Sequence, residues 1–153
     1  MSTNTPVSVT REIAATPEKI WSIVTDLPRM GEWSPENRGG VWVAPATGPA
    51  LGAIFKGRNQ NGKKSWGTKV KVTACDAPKT FSFGLMLNGK NWCDWVYEIE
   101  PTATGCTLTH SWIDHRGGLA NFMGKLVSGV ADRASHNLKN MEVTIDNIVV
   151  AAS

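Results

Sequence analysis

The segment TLTHSWID, Thr107 to Asp114, alternates like a strand and sets Leu108, His110 and Trp112 on one face, with an ionisable ring between two large apolar groups. In the preceding run, WVYEIE, Trp95, Tyr97 and Ile99 share a face in the same way. A half-buried imidazole can act as acid or base near neutrality, and a phenol beside it can donate to an enolising carbonyl. His110 as base and Tyr97 as donor are therefore the candidate catalytic pair. The alternative is a cavity histidine whose ring is satisfied by Tyr97, Thr68 or water.

Other chemistries are excluded by spacing. No GxSxG elbow is present, so a hydrolase triad has no nucleophile. GLANFMGKL departs from a phosphate loop in having five residues between its glycines and Leu126 where Ser or Thr is required. His110, His115 and His136 show no HExxH-type spacing, and Cys75, Cys93 and Cys106 form no CxxC. The expectation is buried reduced thiols, no metal and no cofactor. Among the acids, Asp94 is expected on the outer face, Asp114 tied to the HRGG turn, and Asp132 with His136 as a solvated pair on a helix.

Elements able to position these residues follow one another clearly. VSVTREIAA reads as a first strand. TPEKIWSIVTDLP then reads as a helix, with Thr16 as cap, Pro17 at the first position, Ile20, Ile23, Val24 and Leu27 as its apolar stripe, and an end at Leu27 before Pro28. A short helical turn is expected from Pro28 to Trp33. From Gly39 to Asp114 the period is two, cut by turn signals at 45–49, 59–62, 76–79, 88–90 and 102–105, which predicts six strands in a meander. Residues 118–150 recover a helical period through Leu119, Phe122, Leu126, Val130, Ala134, Leu138, Met141, Ile145 and Ile148. They predict one helix of ~30 residues, about 45 Å long, with Gly124 and Gly129 as soft points. A helix that long must cross the sheet, which then has to curl around it.

The 153 residues, 41% hydrophobic and 19% charged, fit a single α+β domain over 1–153. No run approaches the ~20 apolar residues that cross a bilayer, and no secretory signal is visible, so integral membrane association is not expected and the cytoplasm is the expected location. The net charge is +3, but Asn37 to Cys75 holds no acid and contains Arg38, Lys56, Arg58, Lys63, Lys64, Lys69 and Lys71. This alternation suits a solvated outer sheet face and turn, and no nucleic-acid motif accompanies it.

This order of elements resembles the helix-grip fold of START-type lipid-transfer domains, pollen-allergen-type ligand binders and bacterial polyketide cyclase/dehydrase proteins, the START-like (SRPBCC) superfamily. The resemblance is carried by ATPEKIWSIVTDLPRMGEWSPE with GGVW after it, by Phe55 to Trp66 (FKGRN...W), and by WVYEIEPTATGCTLTHSW. It implies a curved antiparallel sheet of about seven strands wrapped around a long C-terminal helix, two short helices after the first strand, and an apolar cavity between sheet and rod. Period-two reading supplies the wall: Phe55, Gly57 and Asn59; Trp66, Thr68, Val70 and Val72; Phe81, Phe83, Leu85 and Leu87; Cys93, Trp95, Tyr97 and Ile99; Leu108, His110 and Trp112. Trp33 and Trp42 are expected near the mouth, faced by Phe122 and Leu126.

The expected ligand-binding set is thus Trp33, Phe55, Asn59, Trp66, Thr68, Phe83, Leu85, Trp95, Tyr97, Leu108, His110, Trp112, Phe122 and Leu126. Mostly apolar walls with a few polar groups suit a small hydrophobic ligand, lipid-like or polycyclic, carried by a monomer or homodimer. The resemblance also implies an enzymatic alternative, a cyclase/aromatase acting on a poly-β-keto substrate, for which the residues themselves offer His110 and Tyr97. The position of His110 is often acidic in that family pattern, so the resemblance itself carries no catalytic role onto it.

Overall fold

The computed structural model describes residues 6–117, 126, 128, 129 and 132–153. The elements are β1 (Val7–Ile13), α1 (Pro17–Val24), a 3-10 turn (Leu27–Glu32), β2 (Asn37–Trp42), β3 (Ile54–Asn61), β4 (Lys64–Asp76), β5 (Thr80–Leu87), β6 (Lys90–Thr102), β7 (Gly105–Asp114) and α2 (Arg133–Ala152). The seven strands form one antiparallel sheet in the order β1-β7-β6-β5-β4-β3-β2. This is the α+β helix-grip arrangement, with β1 returning to pair with the last strand.

Local chemistry sets the first helix. Thr16 Oγ1 accepts from the Lys19 amide at 3.1 Å, Pro17 opens the helix and Glu18 lies in its first turn. The helix ends at Val24, three residues before the expected end at Leu27. Pro28 explains the difference: it has no N–H for the Val24 carbonyl, and its ring disfavours helical backbone at Leu27. Leu27 instead opens the 3-10 turn, and Ile20, Ile23, Val24 and Leu27 are all buried.

The strand register keeps the expected inward set in phase. Phe55 pairs with Val70, Val72 with Phe83, Phe83 with Trp95, Trp95 with Trp112, and Tyr97 with His110. Shifts after Val72 and after Leu85 change the phase locally, and Leu87, expected inward, is 44% exposed beyond the second one. Asn88 and Gly89, at φ 52° and 74°, turn β5 into β6 with two left-handed residues, the geometry for which Asn-Gly is favoured. Gly105, where β6 turns into β7, is needed for a different reason. A Cβ there would collide with the Ile13 carbonyl oxygen and lie 2.9 Å from the Ala15 nitrogen, both of them backbone atoms. Gly105→Ala is expected to lower unfolding stability by about 2–3 kcal/mol in urea. Gly48→Ala, with open space around the new methyl, should change it little.

The C-terminal helix corrects the expectation of one helix from 118 to 150. Gly129 is left-handed (φ 74°), and Asp132 starts a new helix, accepting from the Ser135 amide at 3.2 Å and its hydroxyl at 2.8 Å. The described helix therefore runs from Arg133 to Ala152, while residues 118–125, including Phe122 and Gly124, lie outside the described residues. Glycine's freedom at positive φ and the capping carboxylate outweigh an apolar period that continues straight through them. The Asp132–His136 pair predicted from spacing is thereby replaced by a cap.

Packing divides the concave face in two. Under α1 and the C-terminal half of α2 it is filled: Ile20, Val24, Phe81, Ile99, Cys106, Leu108, Ile145 and Ile148 are buried to 2% exposure or less. Trp21 closes this side edge-on against Phe81, with ring centres 5.9 Å apart. Toward the N-terminal half of α2 the same face is not filled.

Candidate functional site

A cavity of about 970 Å³ occupies the unfilled half, between the sheet and α2. Its size is at the upper end of the roughly 300–1,000 Å³ typical of small-molecule sites. Of the predicted residues, the structure brings Phe55, Asn59, Trp66, Thr68, Phe83, Leu85, Trp95, Tyr97, His110 and Trp112 to its wall. Trp33 is not there. It is buried in the core, and its carbonyl accepts from Asn147 Nδ2 at 3.0 Å, because the 3-10 turn carries it under α2 rather than to a mouth. Trp42 packs edge-on against Phe55 with centres 5.2 Å apart, also away from the cavity. Leu108 lies in the filled half with no exposure, and Leu126 is 53% exposed, offering only its carbonyl to Lys64 Nζ at 3.2 Å. Phe122 lies outside the described residues.

His110 is 3% exposed. Its Nδ1 lies 3.1 Å from the Val96 carbonyl oxygen, which can only accept, so Nδ1 carries the proton and Nε2 is the lone-pair nitrogen. The expected partners, Tyr97 and Thr68, do not satisfy it. The Tyr97 ring stacks on the imidazole instead, centres 4.0 Å apart and planes 4° from parallel, and Trp95 stacks at 5.6 Å and 24°. Register explains this, since Tyr97 and His110 are directly opposite on neighbouring strands and meet face to face rather than edge to edge. Burial pushes the His110 pKa down to about 4, against a small opposing effect of the Val96 carbonyl. Burial alone holds the Tyr97 phenol well above its ordinary value. At neutral pH both rings are uncharged. The imidazole Nε2 and the phenol oxygen have no hydrogen-bond partner among the described residues, and both side chains belong to the cavity wall.

A second polar group, not found from the sequence, stands on the helix side. Arg133, Asn137, Asn140, Met141 and Thr144 line the cavity from α2, at spacings of four, three, one and three. Arg133 Nη1 donates to Glu36 Oε1 at 2.6 Å and to Asn137 Oδ1 at 3.2 Å, and Asn140 Nδ2 donates to the same Glu36 oxygen at 3.2 Å. The Arg133 and Glu36 side chains are each 15% exposed. The guanidinium also faces the Trp66 ring at 5.9 Å. His136 Nε2 is 3.4 Å from Glu36 Oε1 without hydrogen-bonding geometry, so it adds nothing to the bonds of Glu36. Reading α2 by apolar period selected Ala134 and Leu138, and passed over Asn137, which is 2% exposed. The signal that could have found this group is the four-residue spacing of Arg133 and Asn137 in phase with Met141.

The remaining candidates hold structural positions. Asp94, on the outer face as expected, accepts from Asn91 Nδ2 at 2.7 Å and lies 2.8 Å from His115 Nε2. Asp114 takes the Arg116 amide at 3.0 Å and the Arg116 Nε at 2.9 Å, tying the turn after β7. Burial raises the Cys93 thiol to about 11 and also raises Cys75 and Cys106, so none is a ready thiolate. Among the described residues no three His, Cys, Asp or Glu side chains are grouped as a metal site. No helix among them is long and apolar enough to cross a membrane.

Comparison with known proteins gives this arrangement its context. Among solved structures, protein MLL2253 from Mesorhizobium loti is 19% identical with a TM-score of 0.66, covering 95% of each chain. Protein CV1439 from Chromobacterium violaceum is 10% identical with a TM-score of 0.71, covering 97% of this chain and 98% of that one. The Polyketide_cyc-like protein Cgl2372 from Corynebacterium glutamicum is 26% identical with a TM-score of 0.56, over 96% and 88%. These likenesses establish the fold. No curated protein matches the chain. The family profile described as polyketide cyclase/dehydrase and lipid transport matches residues 5–141, most of the length and every strand of the sheet. The chain therefore belongs to the polyketide cyclase/dehydrase and lipid-transport family.

Proposed function

We propose that this protein binds or carries a small hydrophobic molecule, lipid-like or polycyclic, in the cavity between the sheet and α2. The observation that carries the reading is the cavity itself: about 970 Å³ with a mainly apolar surface that includes Phe55, Trp66, Phe83, Leu85, Trp95 and Trp112, interrupted by polar side chains such as Asn59, Thr68, His110 and Asn137. Removing apolar ligand surface from water contributes roughly 25 cal/mol per Å², and a wall already shaped as a hollow spends little of that on reorganisation. The reading includes no cofactor, metal or nucleic acid.

Incubating the purified protein with a lipid and metabolite extract, re-isolating it and identifying bound small molecules by mass spectrometry is the test. A defined apolar compound in near-stoichiometric amount is the expected result. Recovery of nothing above a denatured control would defeat the reading.

The second reading, a cyclase acting on a poly-β-keto substrate, is favoured by one feature, the stacked His110 and Tyr97 rings in the cavity wall, whose Nε2 and hydroxyl have no hydrogen-bond partner among the described residues. A pKa near 4 argues against it, since an imidazole that weakly basic takes up a proton poorly at neutral pH and serves better as a hydrogen-bond acceptor. If the enzyme reading holds, His110→Ala abolishes turnover and leaves ligand affinity near wild type; if His110 only orients the guest, affinity falls.

A further inference from the structure

The helix-side cluster is only partly paired. Glu36 Oε1 accepts from Arg133 and Asn140, while Glu36 Oε2 is buried with no partner among the described residues. Asn137 has the complementary imbalance. A guanidinium only donates, so the amide oxygen must face Arg133, which turns the NH2 group the other way. That Nδ2 is buried without a partner on a residue only 2% exposed. Glu36 and Asn137 are held by the same Arg133 nitrogen, and both belong to the cavity wall. One bare, buried acceptor and one bare, buried donor thus belong to neighbouring side chains of the cavity wall, and buried polar groups in native proteins are otherwise almost always paired.

We infer that Glu36 and Asn137 form a polar subsite, at the N-terminal end of α2, for the hydroxyl of an otherwise apolar ligand. The hydroxyl proton is donated to Glu36 Oε2, and its oxygen accepts from Asn137 Nδ2. The inference rests on the proposed ligand-binding reading of the cavity and specifies its ligand class as hydrophobic alcohols or phenols. A hydroxyl both donates and accepts; an ether only accepts, an ammonium only donates, and a carboxylate sets a second negative charge against Glu36. Arg133 Nη1 is engaged with both Glu36 and Asn137, so the two bare groups beside it are one acceptor and one donor.

Isothermal titration of the whole protein with decan-1-ol, decyl methyl ether and decanoate tests the subsite. Wild type should bind the alcohol about 10-fold or more tightly than the ether, with decanoate weakest, because a site built to pair a hydroxyl rejects an analogue that leaves its groups unpaired. Asn137→Leu removes the donor. Glu36→Gln keeps an amide oxygen for Arg133 and replaces the free acceptor with a donor, so it tests the same site while preserving the cluster's shape. In each variant the alcohol-to-ether ratio should fall toward one, with ether binding retained. Equal binding of alcohol and ether by wild type, or an unchanged ratio in both variants, would overturn the subsite and leave the cavity reading intact. Tightest binding by decanoate would overturn the hydroxyl assignment in favour of an anion held by Arg133. Failure of all three probes to bind would overturn the cavity reading itself, and the subsite with it.

Discussion

Arg133→Met lowers the unfolding free energy by about 3–5 kcal/mol at neutral pH, the expected result of removing one member of a buried ion pair. Methionine keeps much of the side chain's length against Trp66, so the loss reports charge more than volume. Glu36 is left with Asn140 alone on Oε1, nothing on Oε2, and little water, since its side chain is 15% exposed. A carboxylate so placed must either stay ionised without compensation or take up a proton, and both cost free energy. The double variant Glu36→Leu/Arg133→Met removes both charges and should recover most of the loss, since a buried pair replaced by apolar groups is often neutral or better. Urea unfolding of the wild type, the two single variants and the double variant closes the cycle. A loss under about 1 kcal/mol for Arg133→Met would mean that the pair behaves like an exposed one.

Acidification gives the second large effect. Burial depresses the His110 pKa from 6.5 to about 4, so the unfolded chain takes up a proton below pH 6.5 and the folded chain does not until about pH 4. Between those values the unfolded state binds more protons, and stability falls as pH falls. The stabilisation is complete above the unfolded pKa and is lost across that window, a contribution of about 3 kcal/mol for a shift of this size. His110→Phe cannot titrate. It loses the Val96 hydrogen bond, which lowers its whole profile by about 1 kcal/mol, but from pH 7 to pH 4 the wild type should lose about 3 kcal/mol relative to the variant, so that the order of stability reverses and the variant is the more stable at pH 4. Unfolding curves that remain parallel over that range would show that His110 is not held neutral by burial.

Period-two alternation made the sheet wall readable because a one-residue error would have turned Lys69, Lys71, Glu98 and Glu100 inward, and the register keeps them outside. The β5–β6 turn was equally plain, since Asn88 and Gly89 both take positive φ, whereas between β3 and β4 Asn61 stays in the strand and only Gly62 does, which moves that turn past the expected 59–62. What escaped was the helix side. Hydrophobic period registers only apolar residues, so Arg133, Asn137 and Asn140, buried because Glu36 answers them from a loop nearly a hundred residues earlier, read as a polar face. No local pattern joins Glu36 to Arg133. The break at Gly129 was visible as a soft point, yet only the Asp132 cap made it an end. Leu108 was inward as expected but is packed with no exposure, because alternation tells which side a residue faces and not whether that side is filled, and Trp33, expected near the mouth, follows a 3-10 turn to which no strand period applies.

The central claim is that the hollow beside Trp95, His110 and Leu85 accepts an apolar guest. Titration with N-phenyl-1-naphthylamine, an uncharged dye that brightens in apolar surroundings, addresses it directly when wild type is compared with Leu85→Trp, whose larger ring enters the cavity from β5. Saturable one-to-one uptake by wild type, weakened about 10-fold or more by Leu85→Trp at unchanged thermal midpoint, is the predicted result, since a filled site loses its guest without losing its core. Uptake that never saturates, or an affinity indifferent to the added ring, would contradict the account.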